Sequence, residues 1–289
     1  MRESPFISIV MPSFNQAPYI AEAINSVLEQ DYPHRELIVI DGGSTDGACE
    51  VIASCARQLA YWHSAKDRGQ SNAINMGMAK ASGEVLTWLN SDDVLLPGAL
   101  SRVASAFARG TRHSDWLTGS SVWLSPDGHA VRCARGTPWM PALHQRGLIS
   151  VGGPSSFFSR RLWDKCGPLN ENLHYMMDTD LWLRMANDGI RYTQSPAYLW
   201  GLRLQPNAKM SGHNFADSPF ANPDHPVWVN RRREQEWISR THRATPFNLA
   251  VARTGSRVFR MVTLATPRGV IDSWRFRGRH WTTFPASHG

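Results

Sequence analysis

No stretch of this 289-residue chain reaches the roughly 18 consecutive uncharged apolar residues that a membrane-spanning helix requires. Cysteine is scarce: there are four, and no two form a Cys-x-x-Cys pair, which removes the commonest zinc and redox spacings. Cys49 and Cys55 stand six apart on a predicted helix and face different sides. With Cys133 and Cys166 they read as free thiols of a reducing cytosol rather than as a disulfide framework. A glycine-rich phosphate cradle is also missing. No Gly-x-Gly-x-x-Gly follows the first predicted strand, and no Gly-x-x-x-x-Gly-Lys-Ser/Thr occurs, so neither a dinucleotide fingerprint nor a P-loop is present. The opening MRESPFISIVMPSFN has too short an apolar part for a secretory leader and reads as a first strand.

What is there is ordinary for a globular chain, with 42% hydrophobic and 19% charged residues. The length allows a large core, as one big domain or two joined halves. Charge is unevenly placed. Residues 211–289 carry 12 Arg, no Lys and 5 acids, which equals the whole chain's net +7, so the first 210 residues are neutral.

Strand and helix signals alternate through the first hundred residues. FISIVM (6–11), ELIVID (36–41), YWHS (61–64) and EVLTWLN (84–90) read as strands. Between them lie YIAEAINSVLEQ, with Ile20, Ile24, Val27 and Leu28 on one face and Pro18 near its start, then ACEVIASCARQLA and GQSNAINMGMAKA. The alternation predicts a parallel sheet with right-handed crossovers. Asn15, Asp41, Asp67 and the pair Asp92–Asp93 then all fall at carboxyl ends of strands, which is one edge of such a sheet and the edge where ligands bind. Two adjacent carboxylates behind a buried strand repel each other and lose hydration. A divalent cation or ribose hydroxyls would offset that, and a metal on Asp92 would supply the counter-charge for a phosphate ligand held without a glycine cradle. Each residue has a plainer reading: Asp41 as a turn initiator before Gly-Gly, Asp46-Gly47 as turn or cap, Asp67-Arg68 as a surface ion pair, and Asn90 to Asp93 as an N-cap and turn before Pro97. Four strand ends in order that carry Asn or Asp, three of them acidic, are harder to obtain by chance.

Three stretches carry a family resemblance: SIVMPSFNQAPYIAEAINSVLEQDYPHRELIVIDGGSTDG, DRGQSNAINMGMAKASGEVLTWLNSDDVLLPG and NENLHYMMDTDLWLRMANDG. In this order, over roughly residues 6 to 200, the chain resembles the family 2 glycosyltransferases. The resemblance implies an α/β fold of the GT-A, Rossmann-like type, a mainly parallel central sheet flanked by helices, with the basic C-terminal stretch as a helical extension. It divides the chain into a nucleotide-sugar-binding half (1–114), an acceptor-binding half with the catalytic base (115–210) and the extension (211–289). Pro12, Ser13, Phe14, Asn15, Asp41, Asp67, Arg68, Asn90 and Ser91 are expected at the nucleotide. The family's Asp-x-Asp motif falls on Asn90-Ser91-Asp92, with Asn as its first member. Asp92 is thereby the expected ligand of Mn²⁺ or Mg²⁺, and Asp93 supports it or meets the donor sugar.

In the second half, DWLTGSSVWLS and HAVRCAR straddle a Pro126-Asp127-Gly128 turn and predict a hairpin. Ser155 and Ser156 are expected near the donor sugar and acceptor, or as plain loop and strand residues. YMMDTDLWLRMANDG predicts a helix from Asp178 to about Asn187, ended before Gly189, with Leu181, Trp182 and Met185 as its apolar face and Asp180 paired with Arg184. Asp178 is an N-cap on local sequence and the catalytic base by the resemblance, although Met177 stands where the family often has Glu. Asp180 and Trp182 join the expected donor-sugar or acceptor contacts. His213 is a further metal ligand or a solvated loop residue.

The expected activity is inverting transfer of a hexosyl or N-acetylhexosaminyl group from a nucleotide sugar, chiefly a UDP-sugar, to a hydroxyl of a glycan or lipid-linked acceptor in bacterial cell-surface polysaccharide synthesis. A non-catalytic nucleotide-sugar-binding module and a nucleotidyltransferase are the rival classes. For residues 211–289, arginine interleaved with Trp228, Trp237, Trp274 and Trp281 suits an anionic membrane surface, packing against the core or, least well, nucleic acid, which is not an expected partner. The expected location is the cytoplasm, peripheral to the inner face of the membrane.

Overall fold

The computed structural model describes residues 4–108, 114–136, 153–186, 190–206, 208–209, 226–242 and 267–285. Its first part follows the predicted alternation: β1 (Ile7–Ser13), α1 (Ala17–Leu28), β2 (Arg35–Asp41), α2 (Ala48–Cys55), β3 (Tyr61–Ser64), α3 (Gln70–Met78), β4 (Val85–Trp88), β5 (Val94–Leu95) and α4 (Ala99–Ala108). The second part holds β6 (Trp116–Leu124), β7 (Ala130–Ala134), β8 (Ser156–Ser159), α5 (Arg160–Cys166), α6 (Met177–Ala186) and β9 (Tyr192–Arg203), followed by α7 (Pro226–Thr241) and α8 (Pro267–Phe276).

All the strands join one nine-stranded sheet in the order β3-β2-β1-β4-β8-β6-β9-β5, with β7 beside β6. β1 lies between β2 and β4 and is buried along its whole length, which is why its sequence is a continuous apolar run rather than an alternation. The parallel part is confined to β1 to β4 and the β6–β9 pair; β8, β7 and β5 join antiparallel. The predicted hairpin is β6–β7. The sheet also ties the two expected halves together, since β5 from before residue 114 pairs with β9. Gly77 lets α3 lie close on the sheet, because a Cβ there would stand 2.3 Å from Val10 Cγ1.

One apolar layer packs Ile20, Ile24 and Val27 of α1 with α4 against Ile7, Ile9 and Met11. The other packs α3, α5 and α6 against the opposite face. At its centre Trp182 is stacked between Trp88 (ring centroids 5.5 Å apart) and Trp116 (4.8 Å). The described parts of the basic extension are built into these layers. Ile238 of α7 is 0% exposed in the layer of Trp182. Phe276, Trp281 and Phe284 form a third cluster with β6 and β7. No helix among the described residues is long and apolar enough to cross a membrane. The four cysteines are free.

If α7 is part of the core, Ile238→Ala removes a fully buried side chain and should destabilise the protein by about 2–5 kcal/mol in denaturant unfolding. An unchanged midpoint would show that α7 is only an appendage.

Candidate functional site

The carboxyl ends of β1 to β4 form one edge, and the parallel register sets their last residues side by side: Ser13 pairs with Asp41, and Asp41 with Ser64. The strand order reverses between β1 and β4, the kind of position at which open α/β sheets bind ligands.

Asp41 is fully buried, and both its oxygens are engaged. Oδ2 accepts the Gly43 and Ser44 N–H groups (3.0 and 2.9 Å) and the Ser64 hydroxyl (2.8 Å), and Oδ1 accepts the Ser44 hydroxyl (2.5 Å). Burial alone would push its carboxyl up, but the bonds from Ser44, Ser64 and Cys49 outweigh it and hold the carboxyl below its ordinary value. Asp41 therefore shapes the Gly42–Ser44 loop rather than standing open to a base. Asn15, in the left-handed region at φ 51°, laces that loop to the end of β1: its N–H donates to Ser44 Oγ (2.8 Å) and its Oδ1 accepts from Thr45 N (3.0 Å). Asp46 accepts the Ala17 N–H at the start of α1 (2.8 Å) and, locally, the Ala48 N–H at the start of α2 (3.1 Å).

Within this frame Phe14 stands 60% exposed, while the buried Ser13 hydroxyl has no hydrogen-bond partner among the described residues. Pro12 is buried inside β1. Asp67 accepts the Gly69 N–H (2.8 Å), and its Oδ2 lies 3.1 Å from where a Gly42 Cβ would stand. The Asp67–Arg68 ion pair does not form: Arg68 reaches Glu171 instead (2.7 Å).

The acidic turn after β4 closes through Asp93 N to Asn90 O (3.1 Å), and no helix follows it directly. Asp93 is 1% exposed; it accepts Arg203 N at Oδ1 (3.0 Å) and Asn90 Nδ2 at Oδ2 (3.1 Å). Burial and the neighbouring Asp92 charge hold its carboxyl well above the ordinary value. Asp92 is partly exposed, and burial raises its carboxyl too. Gln205 Nε2 donates to its Oδ2 (3.1 Å), and no other side chain among the described residues bonds that carboxylate. Ser91 is buried between them.

Arg203, 2% exposed, is the clasp of the turn. Its Nε donates to Asp92 O (2.9 Å), Nη1 to Pro126 O (2.7 Å) and Nη2 to Glu22 of α1. This residue was missed in the sequence, though a charge inside the apolar run YLWGLRL is a signal that could have found it.

Asp178 lies inside the first turn of α6 rather than at its cap, and its carboxylate accepts the Thr179 N–H (2.7 Å). Burial raises its carboxyl, against the pull of that bond and of the Arg231 and Lys209 charges. Lys209 also escaped sequence reasoning. Its Nζ donates to Gln70 Oε1 (2.9 Å) and sits 5.6 Å from the Tyr175 ring centre. Gln70 Nε2 donates to Asn90 Oδ1 (2.7 Å). One hydrogen-bonded line thus runs from Lys209 beside Asp178 through Gln70 and Asn90 to Asp93. Glu234 of α7 accepts three successive N–H groups, of His174, Tyr175 and Met176 (2.9, 2.8 and 2.8 Å), just before the helix that carries Asp178.

Four expected ligand contacts are corrected by burial. Trp182 is fully enclosed in the tryptophan stack. Asp180 is 3% exposed and engaged by Arg184 (2.9 Å) and His242 (2.9 Å), so the predicted pair with Arg184 forms but no oxygen faces a sugar. Ser156 is 0% exposed inside β8, with its carbonyl bonded by Thr87. Ser155 is buried in the turn before β8. His213 lies outside the described residues.

Does the edge suit a divalent cation? Among the described residues no three His, Cys, Asp or Glu side chains converge, so no all-protein cage exists. One partly exposed carboxylate whose charge burial disfavours, at the strand edge, fits a cation that draws its other ligands from a diphosphate and water.

A mixed α/β sheet with acidic and amide side chains gathered at the carboxyl ends of its parallel strands defines an α/β protein of the GT-A type. Comparison with known proteins agrees. The model of glycosyl transferase family 2 matches residues 8–116. An uncharacterized glycosyltransferase of Mycobacterium tuberculosis is 31% identical over 189 residues, covering 64% of this chain and 71% of the relative. One of Rickettsia typhi is 28% identical over 191 residues, covering 63% of this chain but only 58% of the relative's length. The chain belongs to glycosyl transferase family 2. Among solved structures, S. aureus TarS 1–349 in complex with UDP-GlcNAc superposes with a TM-score of 0.61 at 18% identity, over 93% of this chain and 78% of that one. The mannosyltransferase PcManGT of Pyrobaculum calidifontis, in complex with GDP-Man and Mn²⁺, gives 0.53 at 17% identity, over 93% and 87%. At these identities the likeness is one of fold.

Burial lowers the Lys209 amine to about 8, against the pull of Asp178 and Glu234. The unfolded chain holds this proton up to the ordinary value of 10.5, so the penalty is present below about 8 and is relieved as pH rises from there to 10.5. Across that window wild type should gain stability relative to Lys209→Met in urea unfolding. A pH-independent difference would mean that the amine is not buried.

Proposed function

We propose that the protein is an inverting glycosyltransferase that moves a sugar from a UDP-sugar to a hydroxyl of a glycan or lipid-linked acceptor, in assembly of a bacterial surface polysaccharide. The observation that carries the reading is the placement of two carboxylates of different character near the two ends of one polar line: Lys209, whose charge acts on Asp178 at the start of α6, bonds Gln70, Gln70 bonds Asn90, and Asn90 bonds Asp93, the chain neighbour of Asp92 at the strand edge. Family membership supports the reaction class, and the sugar nucleotides bound by TarS and PcManGT support the donor class.

In this reading the nucleotide lies over the ends of β1 and β2. Phe14 offers an exposed aromatic face to the base, and the Ser13 hydroxyl and the outer edge of Asp67 offer polar contacts. Asp41 acts from beneath, by holding the Gly42–Ser44 loop, and Asn90 holds Asp93 in place. Asp92 would hold Mn²⁺ or Mg²⁺, which supplies charge neutralisation to the leaving diphosphate. Asp178 takes the proton of the acceptor hydroxyl as that oxygen attacks the anomeric carbon, so a single displacement inverts the configuration. Lys209 and Arg231 keep the charged form of Asp178 from becoming too costly in its buried place. The silent-module reading is less favoured, because a carboxyl raised by burial beside a lysine is placed for proton transfer rather than for passive packing.

Asp178→Asn retains size but loses the proton acceptor. Sugar transfer, followed as UDP release over a panel of donors and acceptors, should fall at least about a hundredfold with little change in donor affinity. Asp180→Asn should lose mainly stability through the bonds of Arg184 and His242. In wild type the acid limb of activity should lie above the ordinary aspartate value, because burial keeps Asp178 protonated to higher pH and only its ionised form is a base. Normal turnover by Asp178→Asn, with a folded but inactive Asp180→Asn, would place the base on the other aspartate.

A further inference from the structure

α8 is fastened to the fold along one side only. Asp272 accepts Arg135 Nη2 (2.5 Å) and the Tyr198 hydroxyl (2.8 Å), Ser273 Oγ accepts Cys133 N (3.0 Å), and Phe276 is 3% exposed against Trp281 and Phe284. At about 100° per residue these three positions share one helical face, and Val270, Ile271 and Trp274 share the opposite one. A solvent-facing helix side should be polar. Here it is apolar: Val270 is 65% exposed, Ile271 58% and Trp274 87%. Exposed arginines adjoin it at Arg275, Arg277 and Arg279.

The charge selects the occupant. Residues 211–289 hold 12 Arg and 5 acids. A second copy of the same face would bring the same arginines together, which opposes self-pairing. An anionic bilayer instead satisfies both features, with tryptophan and branched aliphatic side chains at the acyl boundary and guanidinium groups on the lipid phosphates. We infer that the Val270–Ile271–Trp274 face of α8 is a docking surface for an anionic lipid bilayer, with Arg275 and Arg277 as its headgroup contacts. This goes beyond the glycosyltransfer reading and stands without it. It also gives that reading a geometry. Trp281, directly after α8, donates to Glu22, the partner of Arg203, so the platform is joined through two side chains to the main chain of Asp92.

The test is co-sedimentation of the full chain with vesicles of phosphatidylcholine alone and of phosphatidylcholine with phosphatidylglycerol, at low and high salt. Wild type should pellet with the anionic vesicles, less so at high salt, and not with the neutral ones. The triple variant Val270→Ser, Ile271→Ser, Trp274→Ser and the double variant Arg275→Glu, Arg277→Glu should each bind at least about tenfold more weakly with unchanged thermal unfolding. These five side chains lie outside the core, and if the triple variant fails to fold, the charge variant decides. Wild type staying in the supernatant, or either folded variant pelleting like wild type, would overturn the proposal. So would a wild-type dimer that the triple variant abolishes, because the face would then be a protein interface.

Discussion

A single buried guanidinium holds the acidic edge together. Arg203 is almost wholly shielded from water, a position that an arginine keeps only when its donors are used. Its main-chain N–H fixes Asp93, its Nε fixes the backbone of Asp92, and its remaining nitrogens reach the β6–β7 turn and Glu22 of α1. Two neighbouring carboxylates can share a buried turn because this cation lies beneath them. The roles then separate. Asp93 is consumed by Arg203 and Asn90, whereas Asp92 stays partly exposed with one side-chain partner, Gln205. A planar fork with several donors suits this junction in a way that a lysine ammonium does not.

The helix bearing Asp178 is held from a different direction. Its preceding turn hands three N–H groups to Glu234, and its second aspartate is tied to His242, both contributed by α7 or the residue after it. The basic extension therefore serves as scaffold on its inner side, with Glu234, Ile238 and Phe276. On its outer side it shows arginine and exposed apolar residues. Packing and the inferred docking surface, which composition alone offers as alternatives, fall on different sides of the described extension.

The nucleotide half was readable because periodicity and strand-end polarity are local signals. The four parallel strands, the apolar face of α1 and the convergence of Asp41, Asp67 and Asp92 at one edge all follow from them. Side-chain direction is where local reading ran out. Trp182 and Asp180 lie within four residues of Asp178, yet a helix turns them inward, toward the tryptophan stack and the Arg184–His242 pair. Ser156, expected near the donor sugar and acceptor or as a plain strand residue, is a buried strand residue. Arg203, Lys209 and Glu234 were missed for a related reason. Their partners lie between 31 and 181 positions away, and only the closed sheet brings them together, as the 181 residues separating Arg203 from Glu22 illustrate. The mainly parallel sheet and the β6–β7 hairpin were legible, whereas the antiparallel joins of β8 to β4 and β6 and of β5 to β9 were not, because pairing between strands distant in sequence is not a local property.

The central claim is that Asp92 is the anchor for a cation-bound nucleoside diphosphate. Calorimetric titration of UDP into the protein, with and without Mn²⁺, tests it directly when wild type is compared with Asp92→Asn, a substitution of equal size. The account predicts that Mn²⁺ strengthens UDP binding to wild type and that this strengthening disappears in the variant, while thermal unfolding shows the variant folded. The same Mn²⁺-dependent gain in both proteins would contradict it.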